Sequence, residues 1–263
     1  MKQVGRVRAY LRYRLKAKTS YGIQAPFLFN YMQEVVEQKW KKNLVCSQIE
    51  QLRKHLLHNQ TMVSFVDYGT GRKKTSVSDQ RRICDIARHS AKSKKYARLL
   101  FKTVQYFRPT TILELGTSLG ISTAYLSTAN PSAKVVTIEG CPAMAQQASI
   151  NFQTLSLNNI EVREGEFSAV LPSVLQEFSS IDFVFIDGNH CRKATIDYYK
   201  QIKPHLTSKS VVVIDDIHYS KDMEAAWREI IADPFVRVSL DFFAMGILFP
   251  NKDLSKEHFL IRY

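Results

Sequence analysis

From residue 111 onward, short runs of apolar and β-branched residues alternate with longer stretches whose apolar positions recur every three or four residues. The runs lie at 111–116, 134–140, 160–165, 181–188 and 210–217, and the amphipathic stretches at 121–129, 142–156, 167–178 and 192–205. Brief continuous apolar runs read as strands buried on both faces, and the stretches between them as crossover helices. The pattern therefore predicts a doubly wound, Rossmann-like α/β fold: a parallel sheet with helices on both sides, its hand set by right-handed crossovers. A further helix at 221–232, stopped by Pro234, is followed by strands at 236–243 and 245–250 with no helix between them. These close a seven-stranded sheet as an antiparallel hairpin. Residues 258–263 read either as an extra edge strand or as an extension of that hairpin.

The first 110 residues follow a different rule. Val4, Val7, Leu11 and Leu15 recur at helical spacing, and residues 1–18 hold seven Lys and Arg and no Asp or Glu. Pro26 lies in an aromatic-rich stretch that leads into a helix at 27–39, and helices are also expected at 49–57 and 96–107. Residues 68–80 mix glycine, charge and hydroxyls without a period and are expected to form a mobile loop. Just before it, 65–71 imitates a strand entering a glycine turn, but no helical apolar face follows, so it reads as a loop able to close over a site. The chain thus divides into a basic, mainly helical N-terminal extension or lid at 1–95 and an α/β domain at 96–263.

Charge sharpens that division. Residues 1–100 hold 22 Lys and Arg against 6 Asp and Glu, a balance of +16, within a chain whose formal net charge is +13. Such an asymmetry suits an acidic partner, and residues 1–18 are candidates for contact with an anionic membrane surface or with RNA. The four cysteines are scattered without a CxxC pair, which argues against a zinc knuckle or a disulfide framework. With no apolar signal core at the N-terminus, the expected location is cytoplasmic, with peripheral attachment at the inner membrane surface left open. A homodimer is compatible with the sequence.

The chemistry gathers at strand ends. Ile112-Leu-Glu-Leu-Gly116-Thr-Ser-Leu-Gly120-Ile-Ser122 is a strand running into a glycine turn that opens a helix, where backbone N–H groups face a ligand. The spacing is not the GxGxxG of dinucleotide-binding proteins, which disfavours a dehydrogenase. Glu114, beside the turn, suits a cationic sulfonium or amino group better than a phosphate. On the next strand Glu139, followed by Gly140, lies 23 positions after Gly116, where a carboxylate accepts hydrogen bonds from ribose hydroxyls. Gly165 and Glu166 follow the third strand, where adenine is expected. The cofactor-binding candidates are therefore Glu114, Gly116, Thr117, Ser118, Gly120, Ser122, Glu139, Gly140, Gly165, Glu166 and Asp187.

The strings Leu-Glu-Leu-Gly at 113–116, Thr-Ile-Glu at 137–139, Phe-Ile-Asp at 185–187 and Ile-Asp-Asp at 214–216 resemble the class I S-adenosylmethionine-dependent methyltransferases. Within them the catechol O-methyltransferase-like group is most similar, in particular a bacterial branch with a basic N-terminal extension and the strings Gly-Thr-Ser-Leu-Gly and Asp-Gly-Asn-His. The resemblance spans about residues 90–250. It implies that Glu114, Gly116, Ser122 and Glu139 contact S-adenosyl-L-methionine and that the chain methylates a small-molecule hydroxyl.

Two further strand ends carry acids, Asp187-Gly-Asn-His190 and Asp215-Asp216-Ile-His218. Three converging carboxylates repel one another unless a cation bridges them, and oxygen ligands suit Mg²⁺ or Ca²⁺. The resemblance implies the same set, Asp187, Asp215 and Asp216, with Asp in place of the group's third ligand, Asn. His190 stands where the group has lysine, and its imidazole is a candidate base for a substrate hydroxyl, with Asp187 beside it. The plainer readings stay open: Asp215 as a helix cap, Asp187 on the methionine amino group, His218 as a hydrogen-bonded wall residue. An RNA methyltransferase gripping its substrate through the basic extension is the alternative activity, and a non-catalytic cofactor-binding scaffold a third reading.

Overall fold

A computed structural model describes residues 2–20, 23, 25–41, 43–66 and 79–263, with the backbone alone described at 2–6 and 8. The decoy turn and most of the expected loop at 68–80 lie outside the described residues. Ten helices and ten strands are seen among those described. In chain order they are α1 (Lys2–Lys16), α2 (Pro26–Tyr31), α3 (Leu44–His58), β1 (Met62–Phe65), β2 (Asp79–Arg82), α4 (Ile83–Ser90), α5 (Lys94–Phe107), β3 (Thr111–Leu115), α6 (Ile121–Ala129), β4 (Lys134–Glu139), α7 (Pro142–Thr154), β5 (Ile160–Glu164), α8 (Phe167–Gln176), β6 (Ile181–Ile186), α9 (Arg192–Ile202), β7 (Leu206–Asp215), α10 (Lys221–Ala232), β8 (Val238–Asp241), β9 (Met245–Phe249) and β10 (Glu257–Leu260).

The main sheet has eight strands in the order β10-β8-β9-β7-β6-β3-β4-β5. Expected strands and helices beyond residue 110 appear with ends shifted by a few residues. The expected seven-stranded count is short by one because Glu257–Leu260 adds itself parallel to β8 as an edge strand. β9 runs antiparallel to both β7 and β8, which is the expected closing hairpin.

By contacts the chain falls into two compact units, residues 39–174 and residues 1–38 with 175–263. In the first, β3, β4 and β5 run parallel in unbroken register. Ile112, Leu113, Leu115, Val135, Val136 and Ile138 are buried, which is what strands covered on both faces require. Helices α3 to α7 share one apolar cluster containing Ile49, Leu56, Ile83, Phe101, Tyr125 and Met144. α4 and the β1–β2 hairpin went unforeseen, since β2, Asp-Gln-Arg-Arg, has no apolar alternation. β2 also takes residues 79 and 80 from the expected loop.

In the second unit, β6 to β10 hold the apolar side chains Phe183, Phe185, Val213, Leu240 and Ile247 in the interior. The helix expected at 27–39 is shorter: α2 gives way to a π-helical turn at Met32–Val36 that buries Met32, Val35 and Val36. α1 docks through Tyr13, whose hydroxyl donates to the carbonyl of Ile261 and whose ring tilts against Phe243. Lys18 continues that attachment, its N–H donating to Leu260 O at 2.7 Å and its carbonyl accepting from Arg262 N at 2.9 Å.

Candidate active site

In the unit of residues 39–174, β3 ends in the turn at 116–120. Gly116 adopts φ 105° and Gly120 φ 79°, and Ser118 between them is also left-handed at φ 49°. L side chains disfavour that region, so glycine at both ends lets the strand reverse sharply into α6. Gly116 N–H is tied to Ile138 O at 2.9 Å, which fastens the turn to the end of β4.

That end presents Glu139. One carboxylate oxygen, Oε2, accepts from Ser118 N at 2.7 Å, and the other, Oε1, accepts from Cys141 N at 2.8 Å. Burial pushes the Glu139 carboxyl above its ordinary value, and the N–H groups of Cys141, Ser118, Gly140 and Thr117 pull it back only in part. A carboxylate oxygen holds two lone pairs, so one backbone bond on each leaves both able to accept from a pair of neighbouring hydroxyls. Gly165, at the end of β5, bonds Glu139 O through its N–H at 2.8 Å, which aligns the third strand end with the second.

The candidates of this unit separate by accessibility. Gly116, Ser118, Glu139, Gly165 and Glu166 keep accessible surface, whereas Glu114, Thr117, Gly120, Ser122 and Gly140 are buried. Glu114 has no exposed surface. Its Oε2 accepts from Thr123 Oγ1 and from Thr137 Oγ1 at 2.7 Å, and Thr137 is also bonded to Thr117 at 2.6 Å. The structure thus gives this acid the work of pinning the turn, α6 and β4 together from within. Gly120 is explained by packing too: a Cβ there would lie 2.5 Å from the ring of Phe152 on α7.

In the other unit, β6 ends at Asp187 and the chain turns through Asn189, at φ 59°. His190 Nε2 stands 3.8 Å from Asp187 Oδ1, close enough for charge to act but longer than a hydrogen bond. The imidazole lies against the ring of Tyr219 at 5.8 Å between centroids and keeps part of its surface open to solvent. It can take a proton from a group that reaches it.

The expected Mg²⁺ or Ca²⁺ set is not assembled. Among the described residues no group of three or more His, Cys, Asp and Glu is placed to hold a metal ion. The cause is local. Asp215 belongs to β7 and is buried, whereas at Asp216 the backbone turns left-handed, φ 52°, with its N–H on Ala244 O at 2.6 Å. Asp215 is buried and Asp216 half-buried, and among the described residues they do not form a metal-ligand group with Asp187. Among the described residues these donors do not form a site for a divalent ion.

The plain reading of His218 as a hydrogen-bonded residue fits what lies next to this strand end, although the sequence did not mark its partners. His218 Nε2 pairs with Asp241 Oδ2 at 2.7 Å and its Nδ1 with Glu224 Oε1 at 3.3 Å, under a stacked Phe243 ring. Burial disfavours the imidazolium, but the hydrogen bonds and charges of Asp241 and Glu224 outweigh it and raise the pKa above 6.5. His258, bonded to Ser239 at 2.9 Å, moves the other way: burial lowers its pKa, the charge of Asp241 opposes that, and His218 adds to it. The two histidines therefore contribute opposite pH dependences to stability. His218 stabilises below pH 6.5 and loses that contribution as pH rises through its raised pKa, while His258 costs stability as pH falls below 6.5. We expect His218→Gln to remove stability that the parent holds below about pH 6.5, and His258→Gln to lessen the stability that the parent loses as pH falls below 6.5. Thermal melts between pH 5 and 8 check both signs, and parallel curves for the two variants would refute the assignment.

Comparison with known proteins places the site in a family context. Residues 113–217 match the family model described as a methyltransferase domain. The fold is similar to that of the Podospora anserina methyltransferase PaMTH1 bound to SAH, with 13% identity, 86% of this chain and 96% of that chain covered, and a TM-score of 0.60. It is also similar to an O-methyltransferase from Bacillus cereus in complex with SAH (18% identity, 82% and 96% covered, TM-score 0.57). The O-methyltransferase TomG from Streptomyces achromogenes, in complex with SAM, gives 18% identity, 80% and 90% covered and a TM-score of 0.55. No curated protein sequence matches the chain. Strand order, glycine turn and these likenesses together give the chain the fold of S-adenosylmethionine-dependent methyltransferases, and residues 113–217 match the methyltransferase-domain model.

Proposed function

We propose that this chain transfers the methyl group of S-adenosyl-L-methionine to a hydroxyl oxygen of a small molecule. The observation that carries the reading is Glu139: a carboxylate fixed by backbone N–H groups on both oxygens, at a strand end beside a left-handed glycine turn. That arrangement suits the two ribose hydroxyls of an adenosyl group. Gly116 and Ser118 would line the turn against the methionine part, and Gly165 and Glu166 the adenine. S-adenosylmethionine supplies an electrophilic methyl carbon on a sulfonium, so the protein's task is alignment and removal of one proton.

We assign that proton to His190. The substrate O–H gives its proton to an imidazole nitrogen, an oxygen lone pair forms the new C–O bond, and the S–CH₃ bond breaks with its electron pair left on sulfur as the neutral thioether. Asp187, 3.8 Å away, stabilises the imidazolium that results. The choice of a small-molecule hydroxyl is supported by the names of two fold neighbours, the O-methyltransferases of Bacillus cereus and Streptomyces achromogenes. The motif strings at 113–116, 137–139, 185–187 and 214–216 support placing the chain in the catechol O-methyltransferase-like branch.

The test is a transfer assay with methyl-labelled S-adenosylmethionine against fractionated small molecules and, separately, RNA, with and without Mg²⁺. Label is expected in an ether or ester product of the small-molecule fraction. His190→Gln is expected to lower kcat about 100-fold with S-adenosylhomocysteine affinity unchanged, the scale of a general base. Label confined to RNA, or full activity in His190→Gln, would remove the respective half of the proposal.

A further inference from the structure

We propose that α1 is a docking surface for an anionic lipid bilayer, lying flat in its headgroup region. One face of α1 is already used: Tyr13 is buried, and its hydroxyl and ring hold the helix against Ile261 and Phe243. The outward face carries Val7, Leu11 and Leu15, at i, i+4 and i+8, and these are 58%, 56% and 86% exposed. Three large aliphatic side chains aligned on one helix face and turned to water form a stripe, not scattered surface residues.

The charge around that stripe selects the occupant. Arg12, Arg14, Lys16 and Lys18 are all exposed. Arg262 adds a fifth cation, placed there by its hydrogen bond to Arg14 O. The first acidic residue of the chain is Glu34. A second copy of the chain would bring these cations against their own equivalents across a two-fold axis, which charge opposes. RNA would be held by the cations but has no use for an aliphatic stripe, and of the nearby rings Tyr13 is buried and Tyr10, 43% exposed, packs edge-on against Phe243. An anionic bilayer uses both features at once: acyl chains receive the leucines while lipid phosphates meet the cations. Among the described residues no helix is long and apolar enough to span a membrane, so the contact lies in the interface plane.

The experiment is co-sedimentation of the full chain with vesicles of phosphatidylcholine alone and of phosphatidylcholine mixed with phosphatidylglycerol, at low and high salt. Comparison proteins are Leu11→Ser/Leu15→Ser and Arg12→Gln/Arg14→Gln, whose changes are all at exposed positions. The wild-type chain is expected to bind the mixed vesicles and to release in high salt. Removing the two arginines should weaken binding about 25-fold, at about five-fold per cation, and removing the two leucines at least ten-fold. The proposal stands only if binding needs both the lipid charge and the leucines. Equal binding to both vesicle types, binding untouched by the leucine change, or no vesicle binding overturns it. In that last case, sedimentation of the chain alone and with polyuridylate assigns the face to a second copy or to RNA. Transfer of methyl label is not the readout, so the result is independent of the activity proposed above.

Discussion

Glu139→Gln is expected to bind S-adenosylhomocysteine on the order of 100-fold more weakly than the parent chain while keeping its fold. In the proposed binding mode two ribose hydroxyls would donate to an ionised carboxylate, and charge-assisted bonds contribute about 1.5–3 kcal/mol each, so losing the charge would remove about 3 kcal/mol. The amide keeps one oxygen able to accept from either Ser118 N or Cys141 N, so the turn is loosened but not released. Calorimetric titration reads the affinity, and a thermal melt without ligand shows whether the variant is folded. Because burial raises the Glu139 pKa, binding by the parent chain should also weaken on acidification sooner than an ordinary carboxylate would cause. A folded Glu139→Gln that binds as the parent does would remove the ribose contact and the functional reading built on it.

Gly120→Ala is expected to cost about 2–5 kcal/mol of stability. Two penalties add at one atom. The backbone sits at φ 79°, where an L residue pays about 1–2 kcal/mol, and the new methyl would lie 2.5 Å from the ring of Phe152. Overpacking of that kind adds about 1–3 kcal/mol. A typical domain is stable by about 5–15 kcal/mol, so the loss is a large share. Urea unfolding of Gly120→Ala, and of Gly120→Ala with Phe152→Leu, separates the two terms. The smaller side chain should restore the packing part and leave the conformational part. An unchanged midpoint for the single variant would show that Phe152 does not seat against the turn.

Gly120 also shows where sequence reading stops. Its place in a strand–turn–helix string made it a cofactor candidate, and the left-handed turn was legible from that string. That its α-carbon is pressed by a phenylalanine 32 positions later was not, because helix packing leaves no local signature. Glu114 is similar. Nothing in the string around this strand-end acid shows that its Oε2 accepts from two threonine hydroxyls, those of Thr123 on α6 and Thr137 on β4. Apolar periodicity did specify β3 to β9 and the helices between them, α6 and α10 to the residue, because buried parallel strands have few alternatives. It was weaker in the first 95 residues, where β2 is polar throughout and a π-helical turn interrupts the helix after Pro26. The Asp241–His218 pair joins residues 23 apart, and nothing in an apolar strand marked Asp241 as a partner. The carboxylates at 187, 215 and 216 were legible as strand-end acids, but their convergence on a metal was not a property of the string.

The attachment of α1 has a consequence for how the protein is made. Tyr13 and Ile261 are 248 positions apart in the chain. At a synthesis rate of about 5–20 residues per second, roughly 12–50 s separate the appearance of the helix from that of the carbonyl that receives it. During that interval, while the strands from β3 to β9 emerge, the helix lacks this anchor. The helix is thus fastened well after it is made, and in a growing chain its basic, leucine-bearing surface is on offer to other binders before the edge strand arrives to hold it.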